Sequence, residues 1–354
     1  MQITKAEVTP VELALKQPVQ MAGLPVIKSV TAIFVRLETR QGQSAWGCTV
    51  AHPQLTGEEP RDVLRACRAC AAKVPDLHPL NIEYTLAELN GLVKQTPTAL
   101  CAFDLALHDL LSLAADMPLY RLLGGYRDRI QTSITVPLAP VVESVEMAEQ
   151  RAAWGFRILK IKGGVDPDLD VERVKAIRRA LPELKLRLDA DGGYTVQQAL
   201  EVARALQDAL EMLEQPTPPD DLEALRQVTQ HSPLPVLADQ SACGPAAALD
   251  IAARHAANGL SVKLASCGGL RGARQVDSIA RAAHLSTMVS CLIEPAMLIA
   301  AGLSFALSSP NVHFGDLDGH LYLADDPSQP GFILQDGWLI ASEVPGLGYT
   351  VRLG

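Results

Sequence analysis

Between about residue 130 and residue 319 the chain repeats one unit, a short β-rich run followed by a helical stretch. The runs are IQTSITVPL, ILKIKGG, LRLDADGG, LEMLEQP, PVLADQS, LSVKLAS, STMVSCL and VHFGDLDG, with seven helical stretches between them. That is the count for a parallel barrel, so the spacing predicts an α/β fold of the (β/α)7β kind, a modified TIM barrel. The period is regular: Asp189, Glu214, Asp239 and Lys263 follow one another at 25, 25 and 24 residues, one strand–helix unit each. A doubly wound sheet would also alternate strands with helices, but no G-x-G-x-x-G stands at its first turn.

Ahead of the repeat the pattern is mixed. ITKAEVTPVELAL and KSVTAIFVRLETRQGQSAWGCTV alternate as strands; EEPRDVLRACRACAAKV, TLAELNGLVK and ALCAFDLALHDLLSLAADM read as helices, the last apolar nearly all round. Three parts are expected: an α+β part over 1–125, the barrel over 126–320 and a tail over 321–354. The net charge, 31 − 40 = −9, and the lack of a basic stripe exclude nucleic acid as an expected partner. No apolar run reads as long enough to span a bilayer, and MQITKAEVTP lacks a signal-peptide pattern. A cytoplasmic protein with no membrane partner is therefore expected. Seven cysteines without regular spacing suit reduced thiols, and Cys67 and Cys70 of CRAC read as core residues of one helix.

The strand ends carry the chemistry. Active sites of such barrels lie at the C-terminal ends of the strands. Here six of the eight ends carry ionisable residues: Lys160 and Lys162, Asp189 and Asp191, Glu214, Asp239, Lys263, and Asp316 and Asp318. Period-two alternation puts Lys160 with Lys162 on one side, as it does each aspartate pair. Facing outward they would meet apolar helices, so they are expected to face the barrel mouth. Strands two and six are diametrically opposed among eight, which sets Lys162 across from Lys263. Asp189, Glu214 and Asp239 lie on the arc between them, where three carboxylates repel unless a cation sits among them. An all-oxygen set suits Mg²⁺. Such a site can hold a substrate carboxylate and stabilise the enediolate formed when an α-proton leaves. Two opposed lysines can then remove and return a proton on opposite faces. Lys160 and the nearby metal are expected to lower the Lys162 pKa, and Lys160 to bond the substrate carboxylate as well.

This constellation resembles the enolase superfamily, in its muconate-lactonising and dipeptide-epimerase branch, over nearly the whole chain. ILKIKGG is similar to that family's K-x-K motif, LRLDADGG to its D-x-N or D-x-D strand end, LEQP to its Glu-Gln-Pro, VLADQS to its Ala-Asp-Glu-Ser and VKLASCGG to the segment of the opposed lysine. The resemblance implies that the N-terminal part and the tail form a cap, with the loop KQPVQMAGLP over the barrel mouth. It also implies that Asp316 and Asp318 of GDLDG bind a dipeptide's α-ammonium. Gln240 replaces a frequent glutamate and Asp191 a common asparagine; both are expected to act behind the metal ligands. KQPVQMAGLP has no arginine for an acidic side chain, and Met21 with Leu24 points either to an apolar pocket or to core packing. Thr135, in the first strand, is an expected substrate contact. Glu294 of SCLIEP either contacts substrate or begins the next helix.

The expected activity is Mg²⁺-dependent epimerisation of a dipeptide at its C-terminal residue by 1,1-proton transfer, in a homo-oligomer. The same enediolate site would serve a dehydratase of a hydroxyproline-type amino acid, a cycloisomerase or an N-acylamino acid racemase. A muconate or an N-acylated substrate has no ammonium for Asp316 and Asp318. A barrel recruited only for structure or binding would have eroded strand ends, and these are intact.

Overall fold

The computed structural model describes residues 1–93 and 96–353. Its N-terminal part is an antiparallel sheet in the order β1 (Ile3–Val19), β2 (Ile27–Thr39), β3 (Ser44–Ala51). Two helices, Pro60–Lys73 and Pro97–Ala114, pack against it, and a third, Ile82–Leu92, packs on both of them. Alternation in β2 buries Ile33, Val35 and Leu37 in one core with Val63, Cys67, Cys70 and Phe103. Cys67 and Cys70 are therefore core residues, and burial pushes the Cys70 thiol up to about 12. All seven cysteines are free thiols. The helix expected over 85–94 ends at Leu92, and Lys94 lies outside the described residues.

Pro97–Ala114 corrects one sequence expectation: by length and composition it could cross a membrane. It is instead a buried core helix on which Thr98, Asp104, His108, Asp109 and Ser112 each make a side-chain hydrogen bond. Asp104 accepts hydrogen bonds from the Leu270 and Arg271 amides at 2.6 and 3.3 Å, capping a helix of the barrel.

Among the described residues eight parallel strands alternate with seven longer helices. The strands are β5 (Ile134–Val136), β6 (Ile158–Lys162), β7 (Lys185–Asp189), β8 (Met212–Glu214), β9 (Val236–Ala238), β10 (Gly259–Lys263), β11 (Ser286–Ser290) and β12 (Val312–Asp316), paired in that order. A parallel bridge between Thr132 and Gly315 nearly closes the ring. The expected first strand, IQTSITVPL, is split. Its start, β4 (Arg129–Gln131), leaves the ring to pair with β15 (Trp338–Ala341) of the tail. The tail also holds β13 (Ser328–Gln329), β14 (Phe332–Gln335) and β16 (Thr350–Val351). It reaches the N-terminal part as well, since Leu347 N–H donates to Asp109 at 2.9 Å and Tyr349 hydroxyl donates to the other Asp109 oxygen.

Two glycines of the sequence motifs are fixed by close approach. A Cβ on Gly164, whose φ is +92°, would lie 1.9 Å from the Ala190 carbonyl oxygen. A Cβ on Gly319 would lie 1.9 Å from the Leu292 carbonyl oxygen. The loops after β6 and β7, and after β11 and β12, are thus pressed together at the barrel mouth.

Candidate active site

The mouth opens into a cavity of about 410 Å³. Lys160, Lys162, Asp239, Lys263, Asp316 and Asp318 all border it, together with the loop Val19–Leu24 from the N-terminal sheet. That loop is the expected KQPVQMAGLP segment.

β7, β8 and the end of β9 bring Asp189, Glu214 and Asp239 together, with one oxygen of each within 4.8 Å of the others. All three are buried, with Asp189 and Glu214 at 0% exposure. Neither Glu214 oxygen accepts a hydrogen bond, although Lys160 Nζ lies 3.0 Å from Oε2. Buried carboxylate oxygens without donors are costly, and they fit a hard cation with oxygen ligands. Burial and the neighbouring Asp189 charge push Glu214 up to about 8. Asp189 is held below its ordinary range, because Lys160 and Lys162 outweigh its burial.

The lysines stand four strands apart on the ring, on either side of these carboxylates. Lys162 Nζ donates to Asp189 at 2.9 Å and to both Asp191 oxygens at 2.8 Å. Lys263 Nζ pairs with Asp239 Oδ1. Lys160, 4% exposed, sits deeper, 2.9 Å from Asp189 and 2.8 Å from Asp316. Burial lowers the Lys162 pKa and so does the Lys160 charge, as expected, but Asp189 and Asp191 outweigh both and hold it above its ordinary value.

Asp191 and Asp318 lie just beyond their strands, so alternation does not position them. Asp191 has φ +46°, a left-handed conformation that aspartate tolerates better than most residues. Gln240 Nε2 donates to it at 3.0 Å, which ties the β9 end to Lys162. Asp316 accepts hydrogen bonds from the Ser133 and Ser290 hydroxyls at 2.6 and 2.8 Å as well as from Lys160. Against its burial, Lys160 and these hydroxyls bring it down to about 2. Asp318 accepts the Thr135 amide at 2.8 Å and a thiol contact from Cys291. Burial and the Asp316 charge push it up to about 6.

Thr135 borders the cavity, but its amide serves Asp318. Glu294 does not border it: its carboxylate folds back to accept the Leu292 amide at 3.1 Å, and burial pushes it up to about 8. Leu292 and Ile293 form that wall instead, with Cys291 and Tyr322. Sequence reasoning missed these four, and missed Ser133 and Ser290. Ser290 was within reach, because it ends β11 in register with Asp316.

Two family models cover the chain. Mandelate racemase / muconate lactonizing enzyme, N-terminal domain, matches residues 3–124, and Enolase C-terminal domain-like matches residues 143–353. The chain is 33% identical over 351 residues to the L-Lys-D/L-Arg epimerase of Desulforapulum autotrophicum, covering 98% of this chain and 99% of that one. It is 32% identical to the hydrophobic dipeptide epimerase of Enterococcus faecalis, covering 99% of this chain and all 100% of that one. The crystal structure of the Enterococcus faecalis V583 dipeptide epimerase, complexed with Mg and the dipeptide L-Leu-L-Tyr, superposes with a TM-score of 0.95 at 31% identity, over 99% and 100% of the two chains.

Proposed function

The chain belongs to the mandelate racemase / muconate lactonizing enzyme family of the enolase superfamily, and from that premise we propose that it epimerises dipeptides with apolar side chains at their C-terminal residue. One observation carries the reading: a cavity is bordered by Asp239 of the carboxylate triad, by Lys160, Lys162, Lys263 and Asp191, and on its β12 side by Asp316 and Asp318, while the rest of its lining is uncharged.

Asp189, Glu214 and Asp239 would hold Mg²⁺, since their buried oxygens have the chemistry for it. When bound, the ion supplies positive charge that stabilises the substrate carboxylate as its α-proton leaves. The chain's own residues do the rest. Lys160 offers a further cation to that carboxylate. The GDLDG pair receives the α-ammonium, which fixes the other end of the dipeptide. The α-carbon of the C-terminal residue is then held between Lys162 and Lys263. One lysine takes the proton and the other returns one on the opposite face, which inverts the centre; the roles exchange for the reverse reaction.

Lining chemistry supports the apolar side chains. Met21, Leu24, Leu55, Leu292 and Ile293 face the cavity, and the cap loop brings no charge there. A carboxylate or guanidinium in such a pocket would lose hydration without a partner. The relatives' names range over basic, hydrophobic and Ala-Glu dipeptides at similar identity, so support for the apolar reading comes from the cavity lining rather than from the names. Chiral chromatography of L,L-dipeptides incubated with enzyme and Mg²⁺ tests this. The kcat/KM for L-Leu-L-Tyr should exceed that for L-Ala-L-Glu and L-Lys-L-Arg by about tenfold or more. Equal values would contradict the apolar assignment.

A further inference from the structure

The two GDLDG aspartates are not equivalent. Asp316 already accepts from two hydroxyls and an ammonium, whereas among the described residues the hydrogen-bond partner of Asp318 Oδ1 is the Cys291 sulfur at 3.9 Å. Cys291 is itself held. Its sulfur accepts the Gly319 amide at 3.2 Å, which leaves the S–H free to point at Asp318. This packing depends on Gly319, where any Cβ would collide with Leu292 and crowd the sulfur at 3.1 Å. Cys291 is partly exposed to the cavity. Burial and the Asp318, Glu294 and Asp316 charges hold its proton on, so it is a donor rather than a thiolate.

A carboxylate anchored at one oxygen by the Thr135 amide can still rotate about its Cβ–Cγ bond. The thiol contact at the other oxygen removes that freedom on one side and leaves the cavity side open. We propose that Cys291 is a positioning residue, whose thiol, pinned by the Gly319 amide, sets the Asp318 carboxylate to receive the α-ammonium of the substrate. This rests on the dipeptide reading above, since only a substrate with a free amine uses that orientation.

The test measures KM and kcat for one apolar L,L-dipeptide and for its N-formyl derivative, in the wild type, Cys291→Ala, Cys291→Ser and Asp318→Asn. Cys291→Ala should raise KM for the free amine about fivefold, the worth of one modest hydrogen bond, with kcat falling less than KM rises. KM for the N-formyl compound should move less than twofold. Cys291→Ser keeps a donor and an acceptor on a shorter bond to Cβ and should recover part of the loss. Melting temperatures separate positioning from unfolding: a KM effect in a variant that melts like the wild type is positional. The proposal is overturned if Cys291→Ala leaves the free-amine KM where it was. It is also overturned if serine is as poor as alanine, or if both substrates suffer equally. A failure of the parent reading looks different: the wild type would not prefer the free amine, or Asp318→Asn would not change that preference.

Discussion

At the scale of single residues the account rests on Lys162 and Lys263, each next to one carboxylate of the buried triad. If the two act as the paired acid and base, Lys263→Ala should cut epimerisation at least about a hundredfold, the usual worth of a positioned proton donor or acceptor. A melting curve must stay near that of the wild type for the result to count, and undiminished turnover would remove Lys263 from the chemistry. Much of this site was legible in the sequence because it lies on strands. Lys160, Lys162, Asp189, Glu214, Lys263 and Asp316 are within strands whose alternation and period fix which way side chains point. Glu294 was not legible, because the loop after β11 has no period, and its carboxylate turns to a backbone amide of its own loop. Cys291 and Tyr322 escaped for the same reason, since neither is within a strand.

At the scale of elements, the helix Pro97–Ala114 shows how an apolar pattern can hide specific polar joints. Asp109 on it accepts hydrogen bonds from Leu347 and Tyr349 of the tail, and burial raises it from 3.8 to about 6. A carboxyl that holds its proton longer in the folded chain stabilises the fold below its unfolded pKa and loses that contribution as pH rises through its folded pKa. Stability should therefore fall between about pH 4 and 6 by up to about 3 kcal/mol from this group alone. Asp109→Asn should flatten that part of a melting-temperature profile; a parallel profile would show that Asp109 titrates normally. An apolar pattern running nearly all round announced the helix but not these partners, which come from the far end of the chain. The split of IQTSITVPL has the same origin: Arg129–Gln131 has strand character, but only β15, some two hundred residues later, decides which sheet it joins.

At the scale of the whole molecule, the repeat of 25, 25 and 24 residues predicts the barrel, since each strand–helix unit advances the ring by one position. What the repeat cannot convey is the lid, because the loop Val19–Leu24 reaches the mouth through tertiary packing alone. Cation binding gives a test at this scale that needs no substrate. Mg²⁺ should raise the melting temperature of the wild type in a concentration-dependent way, since a ligand of the native state alone stabilises it. Glu214→Gln should lose most of that rise, and a rise of the same size in both would place the ion elsewhere. The most direct test of the central claim is mass spectrometry, with NMR of the labelled position, on apolar L,L-dipeptides incubated with the enzyme and Mg²⁺ in D₂O. The account predicts one deuterium at the α-carbon of the C-terminal residue, together with the appearance of the L,D epimer. Label at the N-terminal residue, or no label in any dipeptide while 3-hydroxyproline loses water, would contradict it.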